Sequence, residues 1–453
     1  MKSSRYAAPG GYRDVLRLSL PLVASLGSVT VMYFTDRIFL ARYSLDSIAA
    51  ALPAGIAAFI FICFFMGTVS YVNVFVAQYF GAARHAEVGP ALWQGIWFSL
   101  GAWAVLAGLA QLGPWIFALA GHPESVQALE RTYFSILMWG SGVNVLEACL
   151  ASFYTGRGLT RTVMVVNFFG MCLNVPLDYC MINGVGPFPE MGIAGAGLAT
   201  VLSWSAILAC YVVLIFRRAN ERQWRVLSGW RVVPEQFRKL LRFGLPSGMQ
   251  FFLDLFAITF FSFLVGRLGT LELAATNLVF SLNHLAFLPM IGLSIGASTM
   301  VGQAMGAGKP DEADYAAGSA ARLAFAYMVV MGLLFVTLPG PLLALFGDVG
   351  QDPALAALGT RLLWFVAAYS LADALCQTYF GALKGAGDIH YAMRAMGLAA
   401  LCMIILPGLV LSEWLELGVY SLWSCLAAYV FFLTWVFWRR WKSGAWRRLT
   451  VLG

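Results

Sequence analysis

Charge is scarce in this chain: Asp, Glu, Lys and Arg make up 11% of its 453 residues, against about 25% in an ordinary soluble domain. With 60% hydrophobic residues and a mean hydropathy of +0.77, that shortage excludes a soluble globular protein and points to a lipid bilayer. Residues for catalysis are thin as well. The four histidines, His85, His122, His284 and His390, are mostly isolated from other candidate ligands, and His284, within an apolar run, is expected as a satisfied polar residue. The eight cysteines (Cys63, Cys149, Cys172, Cys180, Cys210, Cys376, Cys402 and Cys425) form no CxxC pair; they are expected as small hydrophobes in helices rather than as disulfides or metal ligands. A Walker A loop, a GxGxxG turn and an HExxH helix are all missing. ATP-driven transport and membrane catalysis are thereby left without support, and neither an enzyme activity nor a cofactor is expected.

Long apolar runs are what the chain does have. Runs able to cross about 30 Å of hydrocarbon fall at residues 14–39, 48–78, 89–120, 127–155, 161–184 and 193–216, and again at 237–265, 276–304, 315–346, 356–382, 390–411 and 416–438. They predict an all-α integral membrane protein with twelve transmembrane helices, α1 to α12 in chain order. The first run lacks a small-residue cleavage site and is too long for a signal peptide core, so it is expected to remain as α1.

The two sets of six are related. Residues 67–87, GTVSYVNVFVAQYFGAARHAE, return 225 positions later as residues 292–312, GLSIGASTMVGQAMGAGKPDE, pairing Gln78 with Gln303 and Gly81 with Gly306. The same offset pairs Leu20-Pro21 with Leu245-Pro246 and Arg42 with Arg267; late in each half it drifts by two, so that Lys384-Gly385 faces Arg157-Gly158. Six crossings per repeat make the two lobes parallel repeats about an axis along the membrane normal, a transporter pattern. The expected divisions are an amino-terminal lobe of residues 1–216, a basic cytoplasmic linker at 217–236 and a carboxy-terminal lobe at 237–453.

Basic residues set the orientation. With a cytoplasmic N-terminus, Lys2, Arg5, Arg13, Arg17, Arg84, Arg157, Arg161, the 217–242 stretch, Lys309, Arg322, Lys384, Arg394 and the tail from Arg439 to Arg448 lie inside, and only Arg37, Arg42, Arg131, Arg267 and Arg361 lie toward the other face. That asymmetry obeys the positive-inside rule and predicts a multi-pass protein of the plasma (inner) membrane with both termini cytoplasmic. The formal charge of +7 is explained by orientation and needs no nucleic acid partner. The end of the linker, RVVPEQFRKLLR, is expected as an amphipathic segment on the anionic leaflet.

Pro21 and Pro246 fall at equivalent places in the two repeats. Each removes a backbone hydrogen bond and is expected either as a hinge or as a first-turn residue with little consequence. Five carboxylates, Asp36, Glu147, Asp178, Asp254 and Asp373, lie within the apolar runs. A charge facing lipid there is costly, so each should face a bundle interior, a cavity or a partner. Asp36 and Asp178 have water at the span ends as the alternative, and Glu147 has a packing role. Asn174 and Asp178, four apart, share one helical face. Their oxygens suit a hard cation such as Na⁺, and a desolvated carboxylate suits proton exchange.

Several ordered motifs resemble the multidrug and toxic compound extrusion (MATE) family over nearly the whole chain. They are TDRIFLARYSLDSIAA, AQYFGAA, GRGLTRT, NVPLDYCMINGVGPFPEMGIAGAGLAT, GLPSGMQFFLDLFAITFFSFLVGRLGTLELAA, GQAMGAG and LKGAGDIH. The resemblance implies a V-shaped, two-lobed antiporter of the NorM/DinF-like bacterial branch, exporting cationic amphipathic compounds in exchange for Na⁺ or H⁺ and conferring drug resistance. It implies an amino-lobe cation site at Asp36, Asn174 and Asp178, holding Na⁺ if that is the ion, with Tyr133 and Thr200 as further members. It also implies a carboxy-lobe cation or substrate site at Asp254 and Asp373 with Tyr369. In α7 the family commonly has Glu where this chain has Asp254. A monomer working among membrane lipids on small organic cations is expected. The alternatives are a lipid or lipid-linked oligosaccharide flippase of the same superfamily, a major-facilitator transporter, whose GxxxDRxGRR-type loop is absent, and a membrane enzyme or receptor.

Overall fold

In a computed structural model the chain is described at Tyr6 and over residues 8–346, 353–410, 418–449 and 451–452. Among these residues twelve helices are long and apolar enough to cross a membrane. They are α1 Tyr12–Tyr43, α2 Leu45–Gly81, α3 His85–Leu119, α4 Glu124–Gly156, α5 Thr160–Asn183, α6 Ile193–Ile215, α7 Pro234–Leu268, α8 Thr270–Gly306, α9 Pro310–Thr337, α10 Pro353–Ala386, α11 Ile389–Leu409 and α12 Val419–Lys442. No strand occurs among them, as expected where hydrocarbon offers the backbone no hydrogen-bond partner. Lys2, Arg5 and the ends of the expected α11 and α12 runs at 411 and 416–417 lie outside the described residues.

Local chemistry explains where helices depart from the expected runs. α9 stops at Thr337 instead of 346, because Pro339 restricts the residue before it, and a short helix, Pro339–Ala344, follows. α2 is interrupted at Ser70 and Tyr71, where the Ser70 hydroxyl donates to the Gly67 carbonyl at 2.7 Å. α11 widens into a π-helical segment, Ala400–Ile405, immediately before Pro407, whose missing N–H breaks the regular ladder. Ser44 caps α2 by accepting from the Ser47 amide at 3.4 Å.

The chain folds as two compact units, one of residues 1–23 and 250–451 with 453, the other of residues 24–249 with 452. These limits cut through α1 and α7 and do not fall at the 217–236 linker, which lies wholly in the second unit. Pro21 and Pro246 lie inside α1 and α7, well past the first turn of each, and the divisions come two residues after Pro21 and three after Pro246. In the first unit the start of α1 packs by Val15 with Met290 of α8, Met328 of α9 and Ala374 of α10. The same unit is fastened at the end of α12, where Arg440 Nε donates to Asp388 Oδ2 at 2.6 Å and Trp441 Nε1 to Asp314 Oδ1 at 2.7 Å.

The linker is built into the second unit and does not form a separate surface helix there. Trp93 Nε1 donates to the Val226 carbonyl at 2.6 Å, and Trp97 Nε1 to that of Trp230 at 2.8 Å. Gln94 closes the pattern, donating to the Arg231 carbonyl at 3.2 Å and accepting from the Val233 amide at 3.2 Å. Arg157 stacks its guanidinium 4.0 Å over the Trp224 ring. Glu221 accepts from the Leu227 and Ser228 amides; bonding to Ser228 foremost, and to Leu227, holds its carboxyl below the usual range. The RVVPEQFRKLLR segment, expected on the leaflet surface, contributes from Pro234 onward the first turns of α7. One face of it packs on its own unit, where Leu240 is 1% exposed and Gln236 Nε2 donates to Glu87 Oε2 at 2.8 Å.

This docking needs glycine at position 89, since a Cβ there would overlap the Trp224 and Arg225 carbonyl oxygens. Gly89→Ile should therefore release the linker. Overpacking costs about 1–3 kcal/mol, so trypsin cleavage between Arg217 and Arg231 should accelerate roughly 5- to 150-fold in the purified protein. Cleavage at the wild-type rate would show that the strap is not held by this contact.

Candidate functional site

The amino-lobe residues singled out by sequence converge from four helices. Asp36 lies on α1 past the division of that helix, and its side chain is buried, 4% exposed. Asn174 and Asp178 lie one turn apart on α5, both 0% exposed. Water at the span ends is therefore not what satisfies these acids. Tyr133 of α4 is buried, and its hydroxyl donates to Asp36 Oδ2 at 3.1 Å. Asp36 and Asp178 are near enough to act on one another electrostatically. Thr200 of α6 is buried one turn after Gly197, where α6 closes on the Tyr133 ring; no direct bond joins it to the acids among the described contacts.

The distinguishing feature is unmet hydrogen-bonding capacity. Asp36 Oδ1, Asn174 Oδ1 and Nδ2, and both oxygens of Asp178 are buried without a partner at full hydrogen-bond distance, although the Asn174 amide lies near enough to act on the Asp178 carboxylate. An unsatisfied buried polar group costs about 1–3 kcal/mol, more for a charged one, so four bare oxygens together call for a ligand. A hard cation coordinated by oxygens, or protons on the carboxylates, would satisfy them. Among the described residues no group of three or more His, Cys, Asp or Glu side chains could hold a metal ion, so this donor set of two carboxylates and an amide does not resemble a transition-metal site.

The carboxy-lobe residues also assemble. Asp254 of α7 and Asp373 of α10 act on one another electrostatically, and Tyr369 lies one turn before Asp373. Both acids are half-buried, whereas Tyr369 is 3% exposed. Two polar neighbours were not anticipated from sequence. Asn283 of α8 donates to the Tyr369 hydroxyl at 3.4 Å, and Tyr429 of α12 comes within electrostatic reach of both acids. The Asn283 Oδ1 and Tyr429 Oη atoms are buried without partners. An amide amid the apolar stretch LVFSLNHLAFL was a legible signal for Asn283; Tyr429 carried none, because tyrosines are common at membrane interfaces.

Glu147 of α4 is half-buried and lies within electrostatic reach of Tyr33 and Tyr211. A further buried acid, Glu130, lies outside both clusters: His122 Nδ1 and Glu130 Oε1 are 2.7 Å apart. All eight cysteines are free thiols.

The Tyr133 hydroxyl is the partner that holds Asp36. Tyr133→Phe leaves Oδ2 as bare as Oδ1, and the loss should cost about 1–3 kcal/mol, read as a lower midpoint of thermal unfolding in detergent. An unchanged midpoint would show that the bond contributes nothing to the fold.

Comparison with known proteins places this architecture. A family model described as MatE matches residues 21–180 and 246–407, one block in each repeat. Among curated relatives, the probable multidrug resistance protein NorM of Chromobacterium violaceum is 27% identical over 443 residues, covering 94% of this chain and 92% of the relative. The protein of the same name from Aromatoleum aromaticum is 29% identical over 371 residues, covering 80% and 78%. Among solved structures, one described as the outward-facing conformation of a multidrug resistance MATE family transporter has a TM-score of 0.86 at 18% identity, covering 98% of both chains. A Pyrococcus furiosus transporter of the MOP superfamily, described as having a binding pocket of reverse polarity that suggests a different function, has a TM-score of 0.87 at 18% identity, with 98% of each chain covered. At such identities these structures establish the fold, and the model match across both repeats establishes kinship: the chain belongs to the MatE family.

Proposed function

We propose that this protein is a secondary active multidrug exporter of the inner membrane, moving cationic amphipathic organic compounds outward in exchange for Na⁺ or H⁺. The observation that carries the reading is the set of partnerless buried oxygens on Asp36, Asn174 and Asp178. A bundle does not retain such atoms for stability, and a coupling cation is the ligand that fits them. The relatives named as multidrug resistance proteins support the cargo class, and acids rather than bases in both lobes suit organic cations.

Each group has an assigned part. Asp36, Asn174 and Asp178, with Tyr133 and Thr200 beside them, take the coupling ion. Asp254 and Asp373, with Tyr369, take the organic cation or a second ion. Pro21 and Pro246 are the hinges, since each leaves a backbone carbonyl without its helical partner just before α1 and α7 pass from one compact unit to the other. Coupling then requires only that ion and drug favour different states of the hinged helices or compete for one acid. The protein works as a monomer with both termini cytoplasmic, the side on which its basic residues gather.

A lipid or oligosaccharide flippase is the rival, because the same fold carries a relative described with a pocket of reverse polarity. Such a cargo, bearing phosphate, calls for cationic side chains in the spans, and here the residues gathered in both lobes are acids.

In proteoliposomes, an imposed Na⁺ or H⁺ gradient should drive accumulation of a fluorescent organic cation, and whichever gradient does so identifies the ion. Failure of both would overturn the proposal. Asp36→Asn should abolish gradient-driven transport with insertion unchanged; normal drug resistance in cells carrying this variant would remove Asp36 from the ion site. Pro21→Ala and Pro246→Ala should slow exchange while equilibrium drug binding persists, and wild-type exchange rates in both would rule out the hinges.

A further inference from the structure

One feature of the second unit serves neither cluster of acids. α5 and α6 pack closely at Gly170, where a Cβ would overlap the Ile207 side chain. Toward the start of α5 and the end of α6 the helices line an open groove of about 460 Å³, walled by Val165, Val166, Phe169, Cys210, Val213 and Leu214. Val165 and Val213 are 59% and 62% exposed, so no other part of the unit covers it. In a bilayer the groove faces hydrocarbon and will be filled by something apolar.

The charge at its end narrows what that is. Arg161 precedes Val165 by four residues and shares its helical face. Arg217 lies at the other wall, its Nε donating to the Val213 carbonyl at 3.1 Å, which brings the guanidinium beside a groove-lining residue. Arg218 follows it, and all three are exposed. The next acid in sequence, Glu221, is bonded to the Leu227 and Ser228 amides and so does not neutralise them. Basic side chains at the mouth of an apolar cleft between spanning helices suit a phosphate headgroup on an acyl chain, with arginine able to hold the phosphate by paired hydrogen bonds.

We propose that this groove is a binding site for one anionic phospholipid, its acyl chain lying against Val165, Phe169 and Val213 and its phosphate held by Arg161 and Arg217. A zwitterionic lipid fills the same apolar volume but gains less from the arginines. The site is therefore selective for net negative charge, and it fastens the lipid to the unit that also carries the docked linker.

The test uses the full chain in neutral detergent with phosphatidylglycerol and phosphatidylcholine of identical acyl chains. Native mass spectrometry should show one phosphatidylglycerol retained about tenfold or more tightly than phosphatidylcholine. That lipid should also slow alkylation of the half-buried Cys210 thiol, followed by peptide mapping, whereas inorganic phosphate should not. The double variant R161Q/R217Q should bind phosphatidylglycerol about 10- to 30-fold more weakly, bringing it to the level of phosphatidylcholine. Val213→Trp, which fills the groove and leaves both arginines, should also lose the retained lipid. Equal retention of the two lipids, a preference that survives R161Q/R217Q, binding that leaves Cys210 unprotected, or protection by phosphate alone would each overturn the proposal.

Discussion

Hydrocarbon cannot hydrogen-bond, and that constraint sets both the fold and the site of this protein. It forces the backbone into helices that satisfy themselves, so the described membrane-crossing segments are all helical. It also makes every unpaired side-chain oxygen in the spans expensive. Against that background the bare oxygens of Asp36, Asn174 and Asp178 stand out. The same atoms at a water-exposed surface would be satisfied at little cost; within an apolar bundle an unmet oxygen forfeits stability unless a ligand meets it.

The constraint also decides where the chain can bend. A spanning helix gives up backbone bonds only where something else compensates or where the loss is useful. α1 and α7 each contain a proline well inside the helix, and the compact units part company within a turn of both. The basic segment that looks like the natural joint is instead held down by Trp93, Trp97, Gln94 and Arg157. Asp36 and Asp254 lie thirteen and five residues beyond those divisions.

Much of this was legible in the sequence, for a physical reason: length and apolarity decide what spans a bilayer, and those are one-dimensional properties. Among the described residues all twelve runs are helical, and four of the five intramembrane acids singled out fall into two clusters, Glu147 standing apart. The helix ends were less legible because they depend on single residues such as Pro339 and Pro407, whose effect is read only against a helix already placed. The docking of the linker was not legible, because amphipathicity looks the same whether the apolar face meets lipid or protein; the hydrogen bonds from the Trp93 and Trp97 indoles to its carbonyls are what reveal it. Asn283 stands out as an amide in an apolar run, but its nearness to Tyr369, like that of Tyr429 to the two acids, arises from the packing of α8, α10 and α12, which no spacing along the chain reveals.

The repeat shows how one architecture came to hold unlike sites. The 225-residue offset carries Asp36 onto Phe261, and that residue is 1% exposed, packed against Phe280 and Trp423 with ring centroids at 5.7 and 5.8 Å. What is an acid with an unmet oxygen in one repeat is aromatic core in the other. With the late drift of two, Asn174 and Asp178 fall on Leu401 and Ile405, apolar residues within the π-helical segment of α11. Asp254 in turn falls on Val29. Every member of the amino-lobe triad thus loses its polar group in the second repeat, while the carboxy lobe places an acid seven positions away, about 10 Å along a helix. The repeat keeps the two prolines and basic residues such as Arg42 and Arg267 in register but not the acids. Identical sites in both repeats would bind one cargo twice and couple nothing. In the exchange proposed above, unlike sites would let two cargoes favour different states of the protein, which is the condition for coupling.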